Sequence, residues 1–211
     1  KEMKVLLLNG SPRKNGCTYT ALNVVADALK AEGIDAEVFQ AGDPDMENVK
    51  AAAAKFKSSD ALVVGSPVYW ASPSGQIIEF MDRLASVAGK DMLYKPAAAV
   101  ASARRAGTTA TLDVLTKYFS YHQMPVVSSC YWNMVHGNTP EEVMKDEEGV
   151  QIMRVLGKNM AWLLKCIEAG KKNGVAVPTA EDKIKTKFYP VIDHMKNKFR
   201  EMEPIWFISP N

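Results

Sequence analysis

Long apolar runs, clustered cysteines and an excess of charge of either sign are all missing from this chain. No apolar stretch approaches the roughly 20 residues that a helix needs to cross a bilayer, so no membrane partner is expected. Cysteine occurs three times in 211 residues, at Cys17, Cys130 and Cys166. An odd, scattered set has neither the pairing of a disulfide framework nor metal-ligand spacing, and reduced thiols of a cytoplasmic protein are expected. Charge is balanced, with 26 lysines and arginines against 24 aspartates and glutamates, for a net +2. That balance provides no basic stripe for nucleic acid and no polybasic patch for a lipid surface. Lys1-Glu2-Met3-Lys4 leads straight into a short apolar run that reads as a strand, so no signal peptide is expected. Internal repeats and low-complexity segments are absent too.

What is present is alternation. Val5-Leu6-Leu7-Leu8 is apolar on both faces, as a parallel strand covered by helices must be, and it ends at Asn9-Gly10-Ser11-Pro12. Residues 18–32 carry Leu22, Val25, Ala26 and Leu29 at helical spacing, with Gly33 as the stop. A second strand is read at 36–39, a short alanine-rich helix at 46–57 and a third strand at 61–65. A loop is expected at 66–74, then a helix at 75–87 with Ile77, Ile78, Met81 and Leu84 inward. A fourth strand at 97–102 precedes a helix at 108–121, whose Leu112, Leu115 and Phe119 share a face. Val126-Val127, after Pro125, is read as the fifth strand, and 150–169 as a long amphipathic helix.

This order predicts an α/β fold: a doubly wound, five-stranded parallel sheet in the order 2-1-3-4-5, built from residues 1–172. Beyond Gly174, four prolines punctuate a charged tail that contains Phe188, Tyr189, Ile205, Trp206 and Phe207. Residues 173–211 are therefore expected to be an extension packing on the domain or on a partner subunit in a homodimer.

Ligands of such sheets sit beyond the carboxyl ends of the strands, where the strand order reverses. The loop after strand 1, Asn9-Gly10-Ser11-Pro12-Arg13-Lys14-Asn15-Gly16-Cys17-Thr18, suits a phosphate monoester. Ser11 and Thr18 offer hydroxyls, Arg13 a planar cationic fork, Gly16 close backbone approach, and the helix start free N–H groups. A Walker loop needs lysine where Cys17 stands, and the three spaced glycines of a dinucleotide fingerprint are missing. Cys17 at a helix start could alternatively be a reactive thiol.

After strand 3, Gly65-Ser66-Pro67-Val68-Tyr69-Trp70-Ala71-Ser72-Pro73-Ser74-Gly75 is stiffened by two prolines and presents two aromatics, as a planar ring would want. Packing of Trp70 in the core or at a subunit interface is the competing reading. After strand 4, the small residues of Ser102-Ala103-Arg104-Arg105-Ala106-Gly107 let main chain approach a ring. Arg104 or Arg105 would stack on it or pair with its charge, meet the phosphate of a nicotinamide cofactor, or simply be solvated.

The first of these motifs, and the second together with Phe80-Met81-Asp82-Arg83-Leu84, resemble the NADPH-dependent FMN reductase family of the flavodoxin-like superfamily, over residues 3–170. The resemblance implies that Ser11, Arg13, Asn15, Cys17 and Thr18 surround the FMN phosphate. It implies that Pro67, Val68, Tyr69 and Trp70, with Ala103, Arg104, Arg105 and Gly107, line the ring. Cys17 stands where the family is expected to carry asparagine, so its contribution is through its backbone N–H. The related iron–sulfur flavoproteins carry a cysteine cluster between strands 2 and 3. Residues 42–59 hold no cysteine, and no iron–sulfur cluster is expected.

The implied activity is passage of a hydride from NADH or NADPH to bound FMN, then to a small acceptor such as a quinone or flavin. No catalytic side chain is required by that scheme. His136 is read either as an accessory residue or as a satisfied loop histidine, and His122 and His194 fall in helical patterns without a role. The alternatives are a flavodoxin-type electron carrier, which would resemble strongly acidic proteins, and a binding protein that keeps the fold without turnover.

Overall fold

The computed structural model describes residues 2–182 and 184. Residues up to Val177 form one compact unit, and a second begins at Pro178. His194 and the apolar tail residues Phe188, Tyr189, Ile205, Trp206 and Phe207 lie outside the described residues.

Six strands and six helices are found among the described residues. In chain order they are β1 (Lys4–Asn9), α1 (Cys17–Ala31), β2 (Asp35–Gln40), α2 (Met46–Ser58), β3 (Ala61–Tyr69) and β4 (Ser72–Pro73). There follow α3 (Gly75–Met92), β5 (Ala97–Ala103), α4 (Thr108–Tyr121), β6 (Met134–His136), α5 (Pro140–Lys145) and α6 (Glu147–Lys172). The sheet order is β2-β1-β3-β5-β6, every neighbour parallel, with the two-residue β4 antiparallel on β3. With β4 set aside, this is the expected 2-1-3-4-5 order.

The continuous apolar strands divide their side chains between two cores. Val5, Leu7, Val63, Ala98 and Val100 face α1 and α6, whose Leu22, Val25, Leu29, Met153, Leu156 and Met160 complete one layer. Leu6, Leu8, Leu62, Val64 and Ala99 face the other way, onto Phe56, Phe80, Met81, Leu84, Leu115 and Phe119 of α2, α3 and α4. Each large side chain so buried stabilises the fold by about 1.5–3 kcal/mol relative to exposure. No described helix is long and apolar enough to cross a membrane.

Three expectations are corrected. Strand β3 does not stop at Gly65 but runs to Tyr69, and the expected loop turns back on itself: Val68 pairs with Pro73 and Tyr69 with Ser72. Its β-formers Val68 and Tyr69 extend the strand, while Ser66 Oγ accepts from the Ser74 amide at 3.0 Å and closes the base of the hairpin. Second, Val126-Val127 is not the fifth strand. Val126 makes one isolated bridge to Ala97, and the outer strand forms later, at β6, against Ala101–Ala103. A two-residue apolar run is too short to sustain a ladder, and the chain detours around Ser129, whose hydroxyl bonds the Tyr131 carbonyl and Asn133 Oδ1. Third, α5 and the early start of α6 follow from caps: Thr139 Oγ1 accepts from Glu142 N, Pro140 opens the turn, and Asp146 Oδ1 accepts from Gly149 N.

Candidate functional site

The loop after β1 is held from both sides of its strand. On the β3 side, the Gly10 amide donates to the Gly65 carbonyl at 2.8 Å, and the Ser74 hydroxyl donates to the Gly10 carbonyl at 2.8 Å. On the β2 side, Asn9, wholly buried at the end of β1, sends Nδ2 to Gln40 Oε1 at 2.7 Å and to the carbonyls of Arg13 and Lys14 at 3.3 and 3.2 Å. Asn9 Oδ1 accepts from the Ser11 amide, and Gln40 Nε2 donates to the Ser11 carbonyl at 2.6 Å.

Helix α1 then opens at Gly16 with no side chain capping its first N–H groups. An uncapped N-terminus has unsatisfied donors and the positive end of the helix dipole, which an anion satisfies. Arg13, Lys14 and Asn15 are exposed beside it, while Ser11 is buried and its Oγ accepts from the Arg13 amide at 3.2 Å. The Thr18 side chain is not presented with them. It is 1% exposed, its hydroxyl lies 2.7 Å from that of Ser102, and what it offers a ligand is its backbone N–H. Cys17 Sγ is directed at the Gly137 carbonyl, 3.6 Å away. Burial pushes this thiol above its ordinary pKa, outweighing the lowering by the backbone hydrogen bond and the Arg13 charge. The thiolate needed for a reactive cysteine is therefore disfavoured.

The hairpin carries the ring-binding candidates. Pro67 and Val68 are half-buried on β3, Tyr69 is exposed, and Trp70 at the tip is 100% exposed. Trp70 is thus not a core residue. It and Ala71 have φ of 52° and 58°, a two-residue turn in the left-handed region without glycine or asparagine. The loop after β5 lies against this turn: Gly107 has φ 97°, and a Cβ on it would fall 2.6 Å from Ala71 Cα. Ala103 is buried, and Arg104 and Arg105 are exposed. None of Arg13, Lys14, Arg104 and Arg105 forms an ion pair among the described residues.

His136 ends β6. Its amide donates to Asp146 Oδ2 at 2.7 Å, its Nε2 lies 3.2 Å from the Arg105 carbonyl, and its Nδ1 is 3.7 Å from Asp146 Oδ2. It fastens the loop after β5 to the start of α6, which is the satisfied-histidine reading. His122 lines a separate groove of about 640 Å³ between α3 and α4, with Asp82, Tyr118 and Tyr121. Sequence reasoning overlooked Asn9, Gln40, Ser66 and Ser74 as builders of the site. Their available signal was a polar residue closing an apolar strand, at Asn9 and Gln40, and serines flanking an aromatic turn. Among the described residues, no group of three or more histidines, cysteines and carboxylates is arranged to hold a metal ion.

The chain is similar to proteins named as a flavoprotein, a reductase and a flavodoxin. An iron–sulfur flavoprotein of Methanocaldococcus jannaschii is 29% identical over 192 residues, covering 79% of this chain and all of the relative. An NADPH azoreductase of a Bacillus species is 30% identical over 108 residues, 48% of this chain and 59% of that protein. Among solved structures, the flavodoxin, WrbA-like protein from Agrobacterium tumefaciens superposes with a TM-score of 0.62 at 18% identity, covering 79% of this chain and 99% of that one, which shows the shared fold. The NADPH-dependent FMN reductase family matches residues 3–139, a span that contains β1 to β6 and all three candidate loops. With its flavodoxin-like sheet and a family match that spans residues 3–139, this chain belongs to the NADPH-dependent FMN reductase family.

Proposed function

We propose that the protein is an FMN-dependent NAD(P)H oxidoreductase whose cofactor lies across the carboxyl edge of the sheet. The carrying observation is the uncapped N-terminus of α1 beside exposed Arg13, which has no ion pair among the described residues, at the end of a loop held by Asn9 and Gln40. That donor set fits a phosphate monoester dianion: backbone N–H groups from Asn15 to Thr18, the Ser11 hydroxyl and the Arg13 guanidinium. The ring is assigned to Pro67, Val68, Tyr69 and Trp70 on one side and to Ala103, Arg104, Arg105 and Gly107 on the other. FMN, when bound, supplies the hydride chemistry. The protein binds its phosphate, presents the ring at an open edge and leaves that edge accessible to the nicotinamide and then to the acceptor. The acceptor is a small molecule such as a quinone or flavin.

No iron–sulfur cluster belongs to this reading. A cluster of that kind takes four cysteine thiolates, and the chain has three: Cys17 on α1, Cys130 in the loop between α4 and β6, and Cys166 on α6. A homodimer is part of the proposal, because the fully exposed Trp70 gains cover from a second copy. A monomer by light scattering would remove that part alone.

The absorbance spectrum of the purified protein tests the central proposal. With FMN bound, anaerobic NADH or NADPH is expected to bleach the flavin bands, and the faster of the two identifies the donor. Flavin bands that persist with both donors point to an electron carrier. A protein that takes up no FMN overturns the proposal.

A further inference from the structure

The loop that receives the phosphate in the function proposed above is shaped by a residue outside it. Gln40 closes β2, an edge strand, and its carboxamide lies over the end of β1. Gln40 Oε1 accepts from Asn9 Nδ2 at 2.7 Å, and Gln40 Nε2 donates to the Ser11 carbonyl at 2.6 Å. The two carboxamides orient one another: exchanging N and O on either would set donor against donor or acceptor against acceptor. Gln40 is itself held, since Asn48 Nδ2 donates to its carbonyl at 3.0 Å and the Ala41 amide donates to the Asn9 carbonyl at 2.8 Å.

The consequence lies in the direction of the loop's peptide planes. Asn9 Nδ2, presented by Gln40, turns the carbonyls of Arg13 and Lys14 inward. In a trans peptide the carbonyl and the following N–H point in opposite directions, and no cis peptide is found among the described residues. The amides of Lys14 and Asn15 therefore point away from Asn9, towards the open side of the loop. The Ser11 carbonyl is drawn aside by Gln40 in the same way, and the next residue, Pro12, has no N–H to offer. Three carbonyl dipoles that would repel an anion are turned from it, and two N–H dipoles are turned to it. The loop has the polarity of an anion nest before any anion arrives.

We propose that Gln40 is the positioning residue of the phosphate site, acting through Asn9 to set the loop in its anion-receiving conformation. It does not touch the ligand, and its effect is confined to ligands that carry a phosphate.

Comparison of FMN with riboflavin, the same ring without the phosphate, tests this by fluorescence titration of the full chain. Gln40→Leu keeps the bulk and removes both hydrogen bonds. The Kd for FMN is expected to rise about tenfold while that for riboflavin stays within about twofold. Gln40→Glu keeps the shape but sets an acceptor against the Ser11 carbonyl, and it is expected to weaken FMN at least as much. Equal weakening of both ligands would show a merely structural role and overturn the proposal, as would an unchanged FMN Kd, which would mean that the ligand shapes the loop by itself. Failure of the unsubstituted protein to bind FMN would overturn the functional reading first and this inference with it.

Discussion

The two parts of the site, side by side on one sheet edge, are built by opposite means. The loop after β1 is held by side chains: Asn9 and Gln40 from beneath, and Ser74 from the flank, all through hydrogen bonds. The β3–β4 hairpin is closed at its base by Ser66 Oγ, but its tip is set by the backbone, with two successive residues in the left-handed region, at about 1–2 kcal/mol each, and Trp70 thrown into solvent. The difference follows from what each part is proposed to bind. A phosphate needs carbonyls turned away and N–H groups turned towards it, and only fixed polar partners hold peptide planes in that sense. A ring needs a flat surface projected to the right height, and a short, stiff turn provides it with buried serines only at its base.

The largest effect is expected where a methyl group would enter the polar scaffold. A Cβ on Gly42 would lie 2.1 Å from the Ser11 carbonyl oxygen and 2.7 Å from Gln40 Nε2, so Gly42→Ala has to push the loop out of place. It is expected to cost about 1–3 kcal/mol in urea denaturation and to lower the preference for FMN over riboflavin. An unchanged midpoint with unchanged preference would show the loop to be softer than its hydrogen bonds suggest.

Gly107→Ala attacks the other part. The positive φ and the 2.6 Å approach to Ala71 Cα predict a loss of about 1–2 kcal/mol, read in the same titration. Here FMN and riboflavin are expected to weaken together, since the hairpin is assigned to the ring they share. If only FMN weakened, the assignment of the two loops would be wrong.

A smaller effect of opposite sign is expected from Ala71→Gly. Relief of the left-handed strain outweighs the entropy that glycine adds to the unfolded chain, for a net gain of up to about 1 kcal/mol and a higher Tm. A lower Tm would mean that the Ala71 methyl group contributes more by packing than its backbone loses by strain.

Smallest in energy is the behaviour of Cys17, which should change reactivity without touching stability. With iodoacetamide near pH 8, exposed Cys130 and Cys166 are expected to alkylate before Cys17, whose thiol is half-buried and raised in pKa despite its place at a helix start. Mass spectrometry of the early products checks the order, and Cys17 labelled first would reverse the reading.

Much of this molecule was legible before its structure. Strands apolar on both faces announced a covered parallel sheet, Gly33 marked the end of a helix, and the Ser11 to Thr18 motif pointed to the sheet edge where the loops in fact gather. The misreadings lie where neighbouring residues alone do not decide the outcome. Val126-Val127 has strand composition but only one bridging partner, the hairpin depends on a serine bond across eight residues, and the Thr18 hydroxyl is claimed by Ser102, 84 residues away. At Thr18 a contact distant in sequence overrode the local reading, at the hairpin a bond across the turn did, and at Val126-Val127 the run was too short for a ladder.

By itself, then, the sequence determined the layers, the order of strands and the loop proposed to receive a phosphate, because periodicity and loop composition act over a few neighbouring residues. Only the tertiary structure decided which way the loop's carbonyls face, since that depends on Gln40 reaching Asn9 from 31 residues away across the β1–β2 pairing. A side chain's hydrogen-bond partner is fixed by strand register, and register exists only once the sheet has formed.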